Sequence, residues 1–153
     1  MTRKSVWVLA LLALVALAVS STALAKGKKS TGVVYAGITH QEGDNLIAAG
    51  DFKDSVLGSG AIIYTTKVSG GEAAGTVHIE AQKITIYTTK GSLTGKGAAD
   101  QTFNEDGTST ISNGTFDLTK GTGKYKDHTF KGTFDGSQAS DGIYTFNTKG
   151  TYK

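Results

Sequence analysis

Proline and cysteine are both missing from the 153 residues. Without cysteine there is no disulfide framework, no thiolate-bound zinc or iron–sulfur site and no thiol nucleophile. Without proline there is no proline-rich linker. Tryptophan and methionine each occur once, and the single arginine is Arg3. Charged residues make up only 19% of the chain, with a formal net charge of +3. What remains, 38% hydrophobic residues and 21 glycines, is enough for one packed domain and too short for two ordinary ones.

The first 25 residues read as a secretion signal. Arg3 and Lys4 form a basic head, Val6 to Val19 an uncharged apolar centre, and Ala23-Leu24-Ala25 a small-residue cleavage site. As a helix the apolar run rises roughly 21 Å, short of the roughly 30 Å hydrocarbon core, so a permanent membrane span is not expected. Cleavage after Ala25 implies export, to the extracellular space or the periplasm. No cysteine follows to carry a lipid anchor.

Cleavage removes Arg3 and Lys4 and leaves 14 lysines against 13 acidic residues. Lys26, Lys28 and Lys29 crowd the new N-terminus, so residues 26–30 are expected to form a basic disordered tail and residues 31–153 the domain. The precursor isoelectric point near 9.0 therefore marks no basic stripe on the folded part. Phosphate recognition would also want the planar fork of arginine, and nucleic acid is not an expected partner.

From Thr31 onward no stretch of ten residues has helical spacing. Apolar and β-branched runs recur between glycine, aspartate and asparagine clusters, and they predict an all-β domain. Eight strands are expected, at residues 31–39, 45–53, 60–69, 75–89, 91–99, 108–119, 128–135 and 141–152. Gly70-Gly71, Asp106-Gly107, Asp135-Gly136 and Asp141-Gly142 are the expected turns between them.

Val77, Ile79 and Ala81 alternate with His78, Glu80 and Gln82, but Ile84 and Ile86 fall on the parity of His78. Either a bulge sits near Gln82-Lys83 or the strand changes cover there. Phe116 with Leu118, Phe130 with Phe134, and Tyr144 with Phe146 keep a period of two and mark core positions. Ile63-Tyr64-Thr65-Thr66-Lys67 returns as Ile86-Tyr87-Thr88-Thr89-Lys90, and Gly114-Thr115-Phe116-Asp117 returns as Gly132-Thr133-Phe134-Asp135. The intervals differ, so these echoes suggest strands doing the same packing job rather than a solenoid. Closing eight consecutive strands into an up-and-down barrel removes both sheet edges, and the interior is then filled or holds one small ligand.

Lys120-Gly121-Thr122-Gly123-Lys124-Tyr125, preceded by Ile111-Ser112-Asn113-Gly114 and followed by strands ending in Gly150-Thr151-Tyr152, resembles the glycine-rich turn of the allene oxide cyclase-like and dirigent-like barrels. Gly58-Ser59-Gly60-Ala61-Ile62 is similar to an early strand of that group. The resemblance implies a secreted, calycin-like, eight-stranded antiparallel barrel with a lumen. Its plant members steer cyclisation or radical coupling of small apolar molecules, often as trimers. This chain departs from them at Lys120, where a glycine is usual, and at Asp127-His128-Thr129-Phe130, which replaces a stretch of small residues. The cavity proline and cysteine of the cyclases and the arginine of the dirigent proteins have no counterpart. The barrel is carried over and the catalysis is not.

Tyr35, Tyr64 and Tyr87 could offer a ring and a hydroxyl to a lumen ligand, or serve as core. His40-Gln41-Glu42 and His78-Ile79-Glu80 each put an imidazole and a carboxylate on one face of a strand. Spacing of that kind is common on solvent-facing strands, so no metal is expected. No serine triad or nucleophile elbow occurs, and Gly58-Ser59-Gly60, Gly95-Lys96-Gly97 and Gly121-Thr122-Gly123 read as turns rather than phosphate loops. Asn104-Glu105-Asp106-Gly107 lacks the spacing of a calcium loop and reads as a tight turn. His128 beside Asp127 reads as a loop histidine.

The leading expectation is a secreted, non-enzymatic barrel, with no cofactor and no assigned catalytic residue. It binds a small apolar molecule near Tyr35, Tyr64, Tyr87, His78 and Glu80, or acts as an envelope or extracellular structural protein. One alternative is an isomerase, cyclase or dirigent-like steering protein working in the lumen. The other is a surface adhesive or ice-binding protein reading its target through threonine.

Overall fold

The computed structural model describes residues 27–71 and 73–153. The expected leader at residues 1–25 lies outside the described residues. Eight antiparallel strands follow one another around a closed barrel: β1 (Lys28–Glu42), β2 (Asn45–Asp54), β3 (Gly58–Gly70), β4 (Thr76–Thr88), β5 (Gly91–Phe103), β6 (Ser109–Gly121), β7 (Phe130–Gln138) and β8 (Ile143–Tyr152). β1 closes on β8, with Lys28 opposite Tyr152 and Gly37 opposite Ile143. Lys28–Ser30, expected in the tail, are therefore paired with the last strand. No helix among the described residues is long and apolar enough to cross a membrane. The one helical element among the described residues is a 3₁₀ turn at Gly123–Tyr125, inside the glycine-rich segment between β6 and β7.

All eight expected strands form, because alternating apolar residues give each one an inner face. Turn chemistry holds at Asp106-Gly107 and Asp141-Gly142, where the glycines take φ of 80° and 87°. Thr108 donates its amide and its hydroxyl to Asp106 Oδ1, so the acidic segment is the tight turn its composition suggests.

Two glycine readings are corrected. Asp135-Gly136 is not a turn; β7 runs through it to Gln138. Gly95-Lys96-Gly97 lies in the middle of β5. These glycines stand on the inner wall, where neighbouring strands leave no room for a side chain: a Cβ at Gly136 would sit 2.1 Å from the carbonyl oxygen of Thr145.

The slip in β4 is a bulge. Thr65 opposes Lys83 and Thr66 opposes Ala81, so Gln82 has no partner on β3. Ile79 and Ala81 before the bulge and Ile84 and Ile86 after it then face the same cavity. Further register shifts fall between Ile38 and His40 on β1 and between Ile111 and Gly114 on β6. Such extra residues bend strands around a closed wall.

One end of the barrel is plugged. Leu57, Leu93 and Tyr125 are buried there, Leu93 with 0% exposure, and Tyr125 Oη lies 3.4 Å from the Leu57 carbonyl oxygen. Tyr125 meets Tyr152 edge-on, and His128 stacks on Tyr152 with ring centres 4.9 Å apart. At the other end the inward positions are less covered: Ile38 is 44% exposed, while Leu46, Val68 and Ile79 are half-buried. The lumen opens on that side.

Asp54 anchors the plug. Its Oδ1 accepts the Ser30 hydroxyl and the amides of Val56 and Leu57, the last two at 2.8 and 2.9 Å. Replacing Asp54 with alanine strands the buried Leu57 amide and is expected to cost about 2 kcal/mol in urea unfolding. Asn at this position keeps an acceptor and should lose less.

Candidate ligand site in the barrel lumen

The lumen holds a cavity of about 130 Å³. Val34, Ala48, Ile62, Ile79, Ile84, Ile86 and Ile111 make its aliphatic side. Phe146 centres the aromatic side, T-shaped against Tyr64 at 6.3 Å and Phe134 at 5.4 Å, and stacked on Tyr144 at 5.6 Å. Phe116 and Phe130, with ring centres 4.8 Å apart, lie deeper, toward the plug. The expected core pairs on β6, β7 and β8 all face this space.

Toward the open end the wall becomes polar. Gln101 Nε2 donates to Ser109 Oγ at 2.7 Å and to Gln138 Oε1 at 3.1 Å. Gln101 and Ser109 are buried, and Gln101 lies beside the Tyr144 hydroxyl. This collar was not foreseen in the sequence, because glutamine and serine on a strand read as solvent-facing. Their inward parity, shared with Ala99 and Ile111, was the available signal.

Tyr64 differs from Tyr144. Its Oη is buried without a hydrogen-bond partner among the described residues, as is Oδ2 of Asp54. Burial, helped by the neighbouring Tyr144, pushes the Tyr64 phenol well above its ordinary range, so it carries its proton and can donate.

Of the five residues expected to touch a ligand, the structure places only Tyr64 on the lumen wall. Tyr35 and Tyr87 are 56% and 47% exposed and stand on the outer face, as do His78 and Glu80. The reason is parity: Val34 and Ala36 flank Tyr35 inward, Ile86 precedes Tyr87 inward, and Ile79 with Ala81 take the inward places beside Glu80. The first echo is corrected by the same fact. In Ile63-Tyr64 the tyrosine faces in, whereas in Ile86-Tyr87 the isoleucine does. The second echo does repeat its job, since Phe116 and Phe134 both face the lumen.

Outside, His78 Nδ1 lies 2.8 Å from Asp100 Oδ1, and Asn113 Nδ2 donates to Asp100 Oδ2 at 2.9 Å. These bonds, Asn113 first and His78 second, hold the Asp100 carboxyl below the usual carboxylate range. A depressed folded-state value means that the contribution to stability is present above the ordinary aspartate range. It disappears as pH falls through the lowered value. In Asn113→Gly, which keeps the φ of 54° at that position accessible, the Asp100 carbon resonance is expected to titrate at higher pH. The pair His40 and Glu42 lies on β1, separated from β4 by two intervening strands. Among the described residues no three His, Asp or Glu side chains gather to hold a metal.

The chain matches no family model, no curated protein and no solved structure. The functional reading therefore stands on the site alone.

Proposed function

We propose that this is an exported, non-enzymatic barrel that holds a compact apolar molecule in its lumen. The observation that carries the reading is the cavity of about 130 Å³ with its aliphatic and aromatic wall. An engineered cavity of about 150 Å³ with a similar lining stays dry and takes up benzene. Drug-sized ligands need about 300 Å³ or more, so a single ring is the right scale. Export rests on the leader at residues 1–25. Kinship with the allene oxide cyclase-like barrels, and a trimer with it, belongs to the same proposal and rests on the short motifs at residues 58–62 and 111–125 and on the strand order.

Native mass spectrometry of the secreted protein, joined to amide NMR with added benzene, tests the reading. A chain starting at Lys26 and shifts confined to lumen residues such as Ile84 and Phe146 are expected. Unmoved lumen resonances at saturating benzene overturn it.

One observation favours the surface-adhesive reading as runner-up. Thr76, Thr102, Thr110, Ser137 and Thr145 are successive register partners across β4 to β8, a hydroxyl row on the outer face. It spans five of the eight strands of a closed barrel, so it curves and does not match a flat ice plane.

A further inference from the structure

We infer that the lumen ligand is a neutral single-ring molecule carrying one carbonyl-type oxygen, and that this oxygen accepts a hydrogen bond from Tyr64 Oη. The inference rests on the lumen-binding reading above and adds the chemical class of the ligand and the group that recognises it.

Two phenols face the aromatic side of the lumen, and they are not equivalent. The Tyr144 hydroxyl lies beside Gln101 of the polar collar and is not a buried, unpaired group. Among the described residues Tyr64 Oη has no partner, and it is not exposed to solvent. A buried hydroxyl left unpaired is costly, so an unpaired one on a cavity wall marks the place where a ligand atom completes it. The ring of Tyr64 is held by its edge contact with Phe146 and by its place in β3 opposite Ala48 and Ile84. The hydroxyl is thus presented from a fixed position. It is a donor, so it selects an acceptor.

The charge of the ligand follows from the rest of the wall. The charged residues bordering the cavity are Lys53 and Asp54. Lys53 is exposed and sits between Phe52 and Asp54, which take the inward places. Asp54 is buried and acidic. A carboxylate ligand would lose its hydration without meeting a cation. Asp54 is also too far to serve a ligand held by Tyr64: it lies six positions along β2 from Ala48, the partner of Tyr64, a rise of about 20 Å. The volume sets the size at about six to eight non-hydrogen atoms, one ring and a short substituent.

Cyclohexanone, methylenecyclohexane and cyclopentanecarboxylate each carry one ring, fit that size and test each clause, with the native protein and Tyr64→Phe side by side. Cyclohexanone is expected to bind the native protein about tenfold tighter than methylenecyclohexane, the worth of one hydrogen bond to a buried hydroxyl. In Tyr64→Phe that preference should vanish while methylenecyclohexane binds as before. Cyclopentanecarboxylate should not bind at neutral pH. The infrared carbonyl stretch of cyclohexanone bound to the native protein should lie at lower frequency than that of cyclohexanone in an alkane solvent. This last readout needs no variant, so it serves even if Tyr64→Phe folds poorly.

If neither neutral ring binds, the lumen-binding reading itself fails. If both bind equally, or the preference survives in Tyr64→Phe, or the carboxylate binds best, the reading stands and the assignment to Tyr64 and a neutral acceptor is overturned.

Discussion

Gly95→Ala is expected to destabilise the barrel by about 3 kcal/mol or more, while Gly70→Ala leaves it within about 0.5 kcal/mol. Both are glycines within strands, and their surroundings separate them. A Cβ at Gly95 would lie 1.9 Å from the carbonyl oxygen of Asp117 and 2.6 Å from the Cα of Leu118. Both are backbone atoms of β6, so no rotamer change relieves the clash and the strand itself must move. A Cβ at Gly70 meets nothing within 4 Å, and alanine there also restricts the unfolded chain. Urea midpoints for the two variants check the contrast. Equal midpoints would mean that the β5–β6 wall has slack, and that its glycine is not required for the close approach of the strands.

Phe116→Ala should cost about 3–5 kcal/mol, the usual toll for emptying a buried aromatic site. Phe116 is buried, tilts against Phe130 and covers the bare backbone at Gly132, where a Cβ would lie 2.8 Å from its Cζ. Domains have about 5–15 kcal/mol in total, so a third or more of the stability is at stake. The urea midpoint should fall with the m-value unchanged. Because the variant enlarges a cavity already lined by rings, benzene at about 100 times its dissociation constant should return about 2.7 kcal/mol. A loss under 1 kcal/mol would show that the wall collapses into the space.

Strand positions and most turns were legible because they depend on neighbours in sequence. Alternation gives a strand its two faces, and Asp-Gly at residues 106–107 and 141–142 supplies the positive φ a tight turn needs. The bulge at Gln82-Lys83 was legible for the same reason, since Ile79 and Ile84 cannot share a wall without it. Which face looks inward was not legible everywhere. The pentapeptide Ile-Tyr-Thr-Thr-Lys occurs twice, and the two copies face opposite ways. Ile63 is 43% exposed whereas Ile86 is buried. No local property distinguishes them; the register of β3 on β2 and β4 does. That is why Tyr64 reached the lumen and Tyr87 did not, although both were equal candidates. The inner-wall glycines were misread for a related reason. In a flat sheet Gly95 and Gly136 would mark interruptions, and only the closeness of strands in a closed wall turns them into spacers.

The pairing of Lys28 with Tyr152 brings the first and last strands together at the plugged end. Anything joined to the chain on either side of the barrel departs from there, on the pole opposite the opening. A tether, a fused domain or a solid support would leave the mouth facing away, so immobilisation through a terminus should not obstruct exchange of whatever the barrel carries.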